Sequence, residues 1–348
     1  MDLDLSADQE ATRDLLRRLF AKEVDAGVVR AAEPLGHSAT VWGALSAAGI
    51  PGMGVPVELG GGGADLTVLV VAAFEAGRCA APVPLVEHLV ATRAIAALFP
   101  GYPGLAALVD GTAIAAFAPP GGELVPGGAV ADVVVGVDGP SLVAVGNTPL
   151  ATPLPNHASA PLAPWPSAGG GRAVLAPAAA GGAAADEWRV LTAAALAGLA
   201  ERALEVAVGY VKERHQFGVP IGSFQALQHG LADLPGMVDG ASLLAHEAAW
   251  ALTTGRRAVT GASPAALAAM AFVFAGEVAR DATARCVQYH GGYGVAEEYE
   301  AQLLYRRARG WALVAGDPGD ELDRLAALLL DEPDARSPVA PVATDGEA

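Results

Sequence analysis

The sequence predicts a mostly helical protein with a small β domain between two helical regions, on three observations. Apolar residues recur at helical spacing through the first hundred or so residues, and again from Asp186 onward. Between them the texture changes to short runs of Val, Ala and Leu broken by Gly, Pro and Asp. The helical stretches after Asp186 are long and joined by short Gly- or Pro-marked turns, as in an antiparallel bundle. A chain of 348 residues can hold two or three domains. The expected division is an all-helical domain over 1–112, a reduced β domain over 113–185, a helical bundle over 186–331 and a polar, Pro-containing disordered tail over 332–348.

Each element has its own signal. Ser6-Ala-Asp-Gln9 is a capping-box pattern ahead of a helix whose apolar stripe is Leu15, Leu16, Leu19 and Phe20. Helices are then expected over 38–48, 64–80 and 84–98, set apart by Pro and Gly. The run Gly60 to Gly63 has a phosphate-cradling reading, but no strand–loop–helix unit surrounds it, and a flexible turn is favoured. Strands are expected over 113–118, 129–137, 141–145 and 172–176 in an antiparallel arrangement, with residues 151–171 a long Pro-, Gly- and Ala-rich loop. The bundle helices are expected over 186–214, 224–254, 263–288, 297–313 and 320–330, with Pro235 kinking the second.

Composition excludes several functions. The net charge is −17 and the 21 basic residues form no cluster, so nucleic acid lacks the Lys and Arg patch it requires. The opening Met-Asp-Leu-Asp-Leu has no basic region before an apolar core, against an ordinary signal peptide, and apolar runs such as Leu66 to Phe74 are too short to span a bilayer. Cys79 and Cys286 lack metal-ligand spacing and read as buried thiols in a reducing cytoplasm.

The stretch Tyr210 to Gln228 organises the rest. Leu204, Val208 and Val211 carry a helix toward it, Gly218 and Pro220 are expected to stop that helix, and Ser223 can cap the next. Arg214, Gln216 and Phe217 are thereby held at a sharp turn, where a guanidinium can fork onto a phosphate beside an aromatic ring. The bland alternative is a solvated Arg at a helix C-terminus, where its charge suits the helix dipole.

Three stretches resemble motifs of the acyl-CoA dehydrogenase family. Glu213-Arg-His-Gln-Phe-Gly-Val-Pro-Ile, with Phe224-Gln and residues 228–233, resembles its Arg-x-Gln-Phe-Gly-x-Pro turn. Gln288-Tyr-His-Gly-Gly-Tyr-Gly, with Glu298-Tyr299 and Leu304 to Arg309, resembles its Gln-x-x-Gly-Gly-x-Gly signature. Pro56-Val-Glu-Leu-Gly-Gly resembles its Pro-Glu-x-Tyr-Gly-Gly element. The resemblance implies an N-terminal helical domain, a truncated middle β-sheet domain, a C-terminal four-helix bundle, and FAD shared across a subunit interface. Carried over residue by residue, Arg214 would pair with the pyrophosphate, Gln216 and Phe217 would meet the adenosine side, Gln288, Gly291 and Gly292 would approach the same end, and Phe224 would be a further cofactor-binding residue.

The same resemblance points to something missing. The family's reaction removes an α-proton from an acyl thioester with a buried carboxylate while a hydride leaves the β-carbon for the flavin. The two positions at which family members carry that base hold Ala315 and Trp188, and Glu187 and Asp317 lie one and two residues away. The family's flavin-wrapping Thr-Glu-Pro-x-Ala-Gly-Ser-Asp loop is replaced by Phe117-Ala-Pro-Pro-Gly-Gly, and no counterpart of the Trp-containing strand follows. The expectation is therefore a non-catalytic subunit, with no metal, in a cytoplasmic α2β2 heterotetramer. Its partner would be a homologous catalytic subunit that holds the acyl-CoA and passes electrons to electron-transfer flavoprotein or a similar acceptor. By analogy with paired subunits of high-GC bacteria, the substrate would be a steroid side-chain CoA ester. The alternatives are a homomeric enzyme using Glu187 or Asp317, and a non-catalytic scaffold member.

Overall fold

The computed structural model describes residues 4–120, 124–150, 152–166 and 171–330. The expected tail at 332–348 and the two glycines of Phe117-Ala-Pro-Pro-Gly-Gly lie outside the described residues.

The N-terminal helices are α1 (Ala7–Glu23), α2 (Ala26–Ala31), α3 (Ala39–Ala47), α4 (Leu66–Arg78), α5 (Leu85–Leu98) and α6 (Leu105–Val109). The capping box forms as the sequence predicts: Gln9 N donates to Ser6 Oγ at 3.3 Å, and Ser6 N donates to Gln9 Oε1 at 2.8 Å. The glycine run is a tight turn, not a cradle. Gly61 N donates to Pro56 O, Gly62 N to Gly52 O and Gly63 N to Val55 O, so those donors are already spent on the chain itself.

The sheet contains β1 (Ala115–Phe117), β3 (Val133–Asp138), β4 (Ser141–Gly146) and β6 (Arg172–Pro177), in the order β1-β3-β4-β6. The short strands β2 (Leu124–Val125) and β5 (Ala163–Pro164) pair beside it. The expected all-antiparallel arrangement is corrected at one edge, where β1 runs parallel to β3. The connection from Phe117 to Val133 is long enough to return the chain in the same direction, which a hairpin cannot do. The strand expected to begin at Ala129 begins at Val133, because residues 126–130 form a turn.

The C-terminal bundle comprises α7 (Ala180–Glu213), α8 (Gln225–Ala232), α9 (Leu234–Thr254), α10 (Pro264–His290), α11 (Ala301–Leu313) and α12 (Pro318–Leu330), with the strands β7 (His215–Gln216) and β8 (Val219–Pro220) between α7 and α8. Helix α7 starts six residues before the expected Asp186 and is the axis of the molecule, packing against α4, α9, α10 and α11. Its crossing with α4 is backbone on backbone: a Cβ at Gly77 would stand 1.9 Å from Ala195 O, and one at Gly198 would stand 2.0 Å from Phe74 O. Pro235 falls in the first turn of α9 and divides the long second bundle helix in two, with Asp233 between them still in a helical conformation. The expected helix from Glu297 starts only at Ala301, after a 3-10 turn over Gly291–Val295.

Candidate functional site

The stretch around Arg214 is a β-hairpin, which corrects the expected helix stop. Helix α7 ends at Glu213 because Arg214 turns extended (φ −73°, ψ 121°), and its carbonyl then accepts from Ile221 N at 2.7 Å. Strands β7 and β8 pair Gln216 with Val219, leaving Phe217 and Gly218 as a two-residue loop. Both have positive φ, 54° and 83°, as a primed hairpin turn requires. Gly218 fits; Phe217 is a bulky residue in a left-handed conformation, and its side chain is 93% exposed. Ser223 does not cap α8: its hydroxyl donates to Pro220 O at 2.7 Å, and Phe224 occupies the cap position.

The structure brings the two bundle motifs together. The Arg214 guanidinium lies 5.6 Å from the centroid of Tyr293, in the second motif, and no carboxylate pairs with it among the described residues. Tyr210 stacks on His290 at 4.0 Å, His290 meets Tyr299 edge-on at 6.2 Å, and Tyr299 meets Tyr293 at 5.2 Å. This aromatic chain joins the ends of α7 and α10 and was not singled out from sequence, although each member stands inside or beside a quoted motif. Phe217 and Phe224 pack edge to face at 6.2 Å. Gln288 is exposed at the end of α10, and Gln216 turns its amide back to His215 O at 2.6 Å.

These residues fit a large anionic, aromatic ligand such as FAD on three counts. Arg214 offers an unpaired fork. Gly291 adopts φ 60° and ψ −137°, open essentially to glycine alone, and a Cβ at Gly291 or Gly292 would meet nothing. Phe217 presents an uncovered ring. Beside them α8 buries none of its residues. It sits on α10 through Gly230, whose carbonyl accepts from Arg285 Nη1 at 2.6 Å.

The positions where a base was sought lie at the other end of α7 and face different cavities. Trp188 is 2% exposed, tilted against Phe272 at 5.4 Å, and lines a cavity of about 90 Å³ between α5, α7 and α11. Ala315 lines another, of about 350 Å³, between the start of α7 and α12. There a box of ion pairs closes: Arg189 reaches Asp186 at 3.0 Å and Glu321 at 2.7 Å, and Arg324 reaches Asp186 at 2.8 Å and Glu321 at 3.1 Å. The neighbouring carboxylates are engaged elsewhere. Glu187 accepts from Arg93 Nε at 3.0 Å and Nη2 at 3.2 Å, and Asp317 accepts from Gly319 N at 2.8 Å.

One carboxyl that sequence reasoning missed lies in the first cavity. Glu87, in the first turn of α5, opens onto it. Burial pushes its carboxyl up to about 7, against a smaller pull from its own backbone N–H and the Trp188 indole. Trp188 Nε1 makes no hydrogen bond of ordinary geometry, so the indole acts on Glu87 as a neighbouring dipole. The adjoining His88 is fully buried and turned the other way, accepting from Ala115 N at 3.1 Å. Burial holds its imidazole down at about 4.

A small sheet set between helical layers, with a helical bundle carrying the turn motifs, is the architecture of one known class. Residues 6–99 match the acyl-CoA dehydrogenase N-terminal domain and residues 179–329 the C-terminal domain, and the chain belongs to the acyl-CoA dehydrogenase family. It is 33% identical over 335 residues to the acyl-CoA dehydrogenase IpdE2 of Mycolicibacterium smegmatis, covering 93% of this chain and 99% of that one. A solved steroid ACAD variant, Tcur3481-Tcur3483, has 27% identity and a TM-score of 0.78, over 93% of this chain and 98% of that one. The ChsE4-ChsE5 complex of Mycobacterium tuberculosis shares the fold, with a TM-score of 0.81 at 23% identity over 96% of this chain and all of that one. Among the described residues no helix is long and apolar enough to cross a membrane.

Proposed function

We propose that this chain is the non-catalytic subunit of a heteromeric, FAD-dependent acyl-CoA dehydrogenase. It completes the cofactor site of a homologous partner with Arg214, Gln216, Phe217, Phe224, Gln288, Gly291 and Gly292. The observation that carries the reading is the unpaired Arg214 beside Tyr293 on an uncovered face, set against Ala315 and Trp188 where a base is required. When bound, FAD accepts the hydride that leaves the substrate's β-carbon. This chain's residues bind and orient: Arg214 by a charge-assisted fork, Gly291 and Gly292 by leaving room for close backbone approach, and Phe217 and Phe224 by apolar contact. Phe217 held at φ 54° is strain that a bound partner can use, since the ring is already aimed outward.

The partner is assigned the proton-abstracting carboxylate and the flavin-ring pocket. The relatives whose names carry a steroid ACAD or a two-chain complex support an α2β2 assembly acting on a steroid side-chain CoA ester. Electron-transfer flavoprotein or a similar carrier would take the electrons, and the division at 112, 185 and 331 gives the domains of this subunit. The homomeric alternative is weakened because Glu187 and Asp317 are already hydrogen-bonded elsewhere.

The test is to purify the full chain alone and co-expressed with an adjacent dehydrogenase gene product, then measure flavin absorbance and dye reduction with acyl-CoAs. Flavin and turnover in the co-expressed preparation only is the expected result. Turnover by the chain alone would overturn the reading, and a flavin-free complex would leave the scaffold alternative.

A further inference from the structure

The Arg214 guanidinium has no counter-ion among the described residues, but it does have a neighbour: the centroid of Tyr293 lies 5.6 Å away, within reach of a cation–π contact. Tyr293 is itself held. The turn Gly291–Val295 that carries it lies backbone on backbone against the end of α10, where a Cβ at Gly294 would stand 2.5 Å from Val287 O. Its ring meets Tyr299 at 5.2 Å, and Tyr299 meets His290 edge-on at 6.2 Å. His290 is 5% exposed, its Nδ1–H donates to Cys286 O at 2.7 Å, and its ring stacks on Tyr210 at 4.0 Å. Tyr210 closes the circuit, because its carbonyl accepts from Arg214 N at 2.8 Å. The backbone of Arg214 and the ring beside its guanidinium are thus fixed to one another. His290 and Tyr293 fall on positions that Gln-x-x-Gly-Gly-x-Gly leaves open, so the motif implies neither contact.

An aromatic neighbour does what a carboxylate cannot. A carboxylate would accept from the N–H fork and cancel its charge. A ring attracts the cation through its quadrupole and offers no strong acceptor, so the charge and the N–H donors stay available to an incoming anion. We infer that Tyr293 is a positioning residue that orients the Arg214 fork toward the cofactor's pyrophosphate without neutralising it, and that the column Tyr210–His290–Tyr299 holds Tyr293 in place. The inference rests on the cofactor reading above.

Two readouts keep the positioning role and the cofactor reading apart. In the full-length chain alone, the Arg214 Nε–H resonance, assigned from Arg214→Lys, should carry a ring-current shift that Tyr293→Phe keeps and Tyr293→Leu loses. In the co-expressed complex, Tyr293→Leu should weaken FAD retention about threefold, the size of an exposed cation–π contact, while Tyr293→Phe stays near the native value. In an Arg214→Ala background Tyr293→Leu should add nothing, since its effect passes through Arg214. A shift that survives Tyr293→Leu, or an additive loss in the double variant, would overturn the positioning role. A loss in Arg214→Ala with none in Tyr293→Leu would overturn it as well and leave the cofactor reading standing, whereas no loss in either variant would sink both.

Discussion

The two ends of α7 are built in opposite ways. At the Trp188 end the bulkiest side chain stands 2% exposed, and the charged groups are tied in ion pairs or enclosed in a cavity. At the Arg214 end Phe217 stands 93% exposed in a left-handed turn, and a guanidinium has only an aromatic face for company. One end has been filled by the chain itself and the other is presented outward. The difference teaches that one long helix can pack its residues at one end while leaving those at the other open to a partner. The two ends can be changed independently, because most of the length of α7 separates them.

Trp188→Ala against Phe217→Ala is the sharpest way to break this comparison. The first leaves a cavity in a packed wall and should cost about 3–5 kcal/mol in chemical denaturation. The second should stay within about 0.5 kcal/mol. Equal losses would mean that the hairpin, too, is held by the core.

The neighbours Glu87 and His88 sharpen the buried end through pH. Glu87, raised to about 7, supports the fold below its ordinary carboxylate range and loses that support as pH rises through 7. His88, lowered to about 4, supports it above the ordinary imidazole range and loses that support as pH falls through 4. Between pH 5 and 7 their effects oppose, at about 1.4 kcal/mol per unit of differential titration. Glu87→Gln removes one side, so the variant should gain stability over the native chain as pH rises from 5 to 7, then level off. A pH-independent difference would show that Glu87 is solvated.

Arg214→Ala addresses the presented end. It should weaken FAD retention in the co-expressed complex about tenfold, by loss of a charge-assisted contact, with the melting temperature of the isolated chain unchanged. Unaltered retention would reduce Arg214 to a helix end. The smallest effect is expected of Phe217→Gly, which relieves the left-handed backbone and should stabilise the isolated chain by about 1 kcal/mol while weakening assembly. No gain would mean that the turn is not strained.

Much of this was legible beforehand because it is local. The capping box at Ser6, the helical texture on either side of a short sheet, and the two motif turns depend on residues a few positions apart. The parallel β1–β3 pair was not legible, since direction there is set by a long connection. The hairpin at Phe217 was hidden by a glycine and a proline that also read as a helix stop. Glu87 was missed for a plainer reason. It is an ordinary first-turn carboxylate until α5 is laid beside Trp188, about a hundred residues later in the chain.

By itself, then, the sequence determined the mostly helical architecture, the family and the absence of a carboxylate at positions 188 and 315, because residue identity and short-range periodicity suffice for those. Only the tertiary structure decided that Arg214 meets Tyr293 with no counter-ion among the described residues, that Glu187 is taken by Arg93, and that Glu87 stands half-buried in the cavity beside Trp188. Pairing, burial and solvation belong to groups brought together by packing, and no stretch of chain contains them alone.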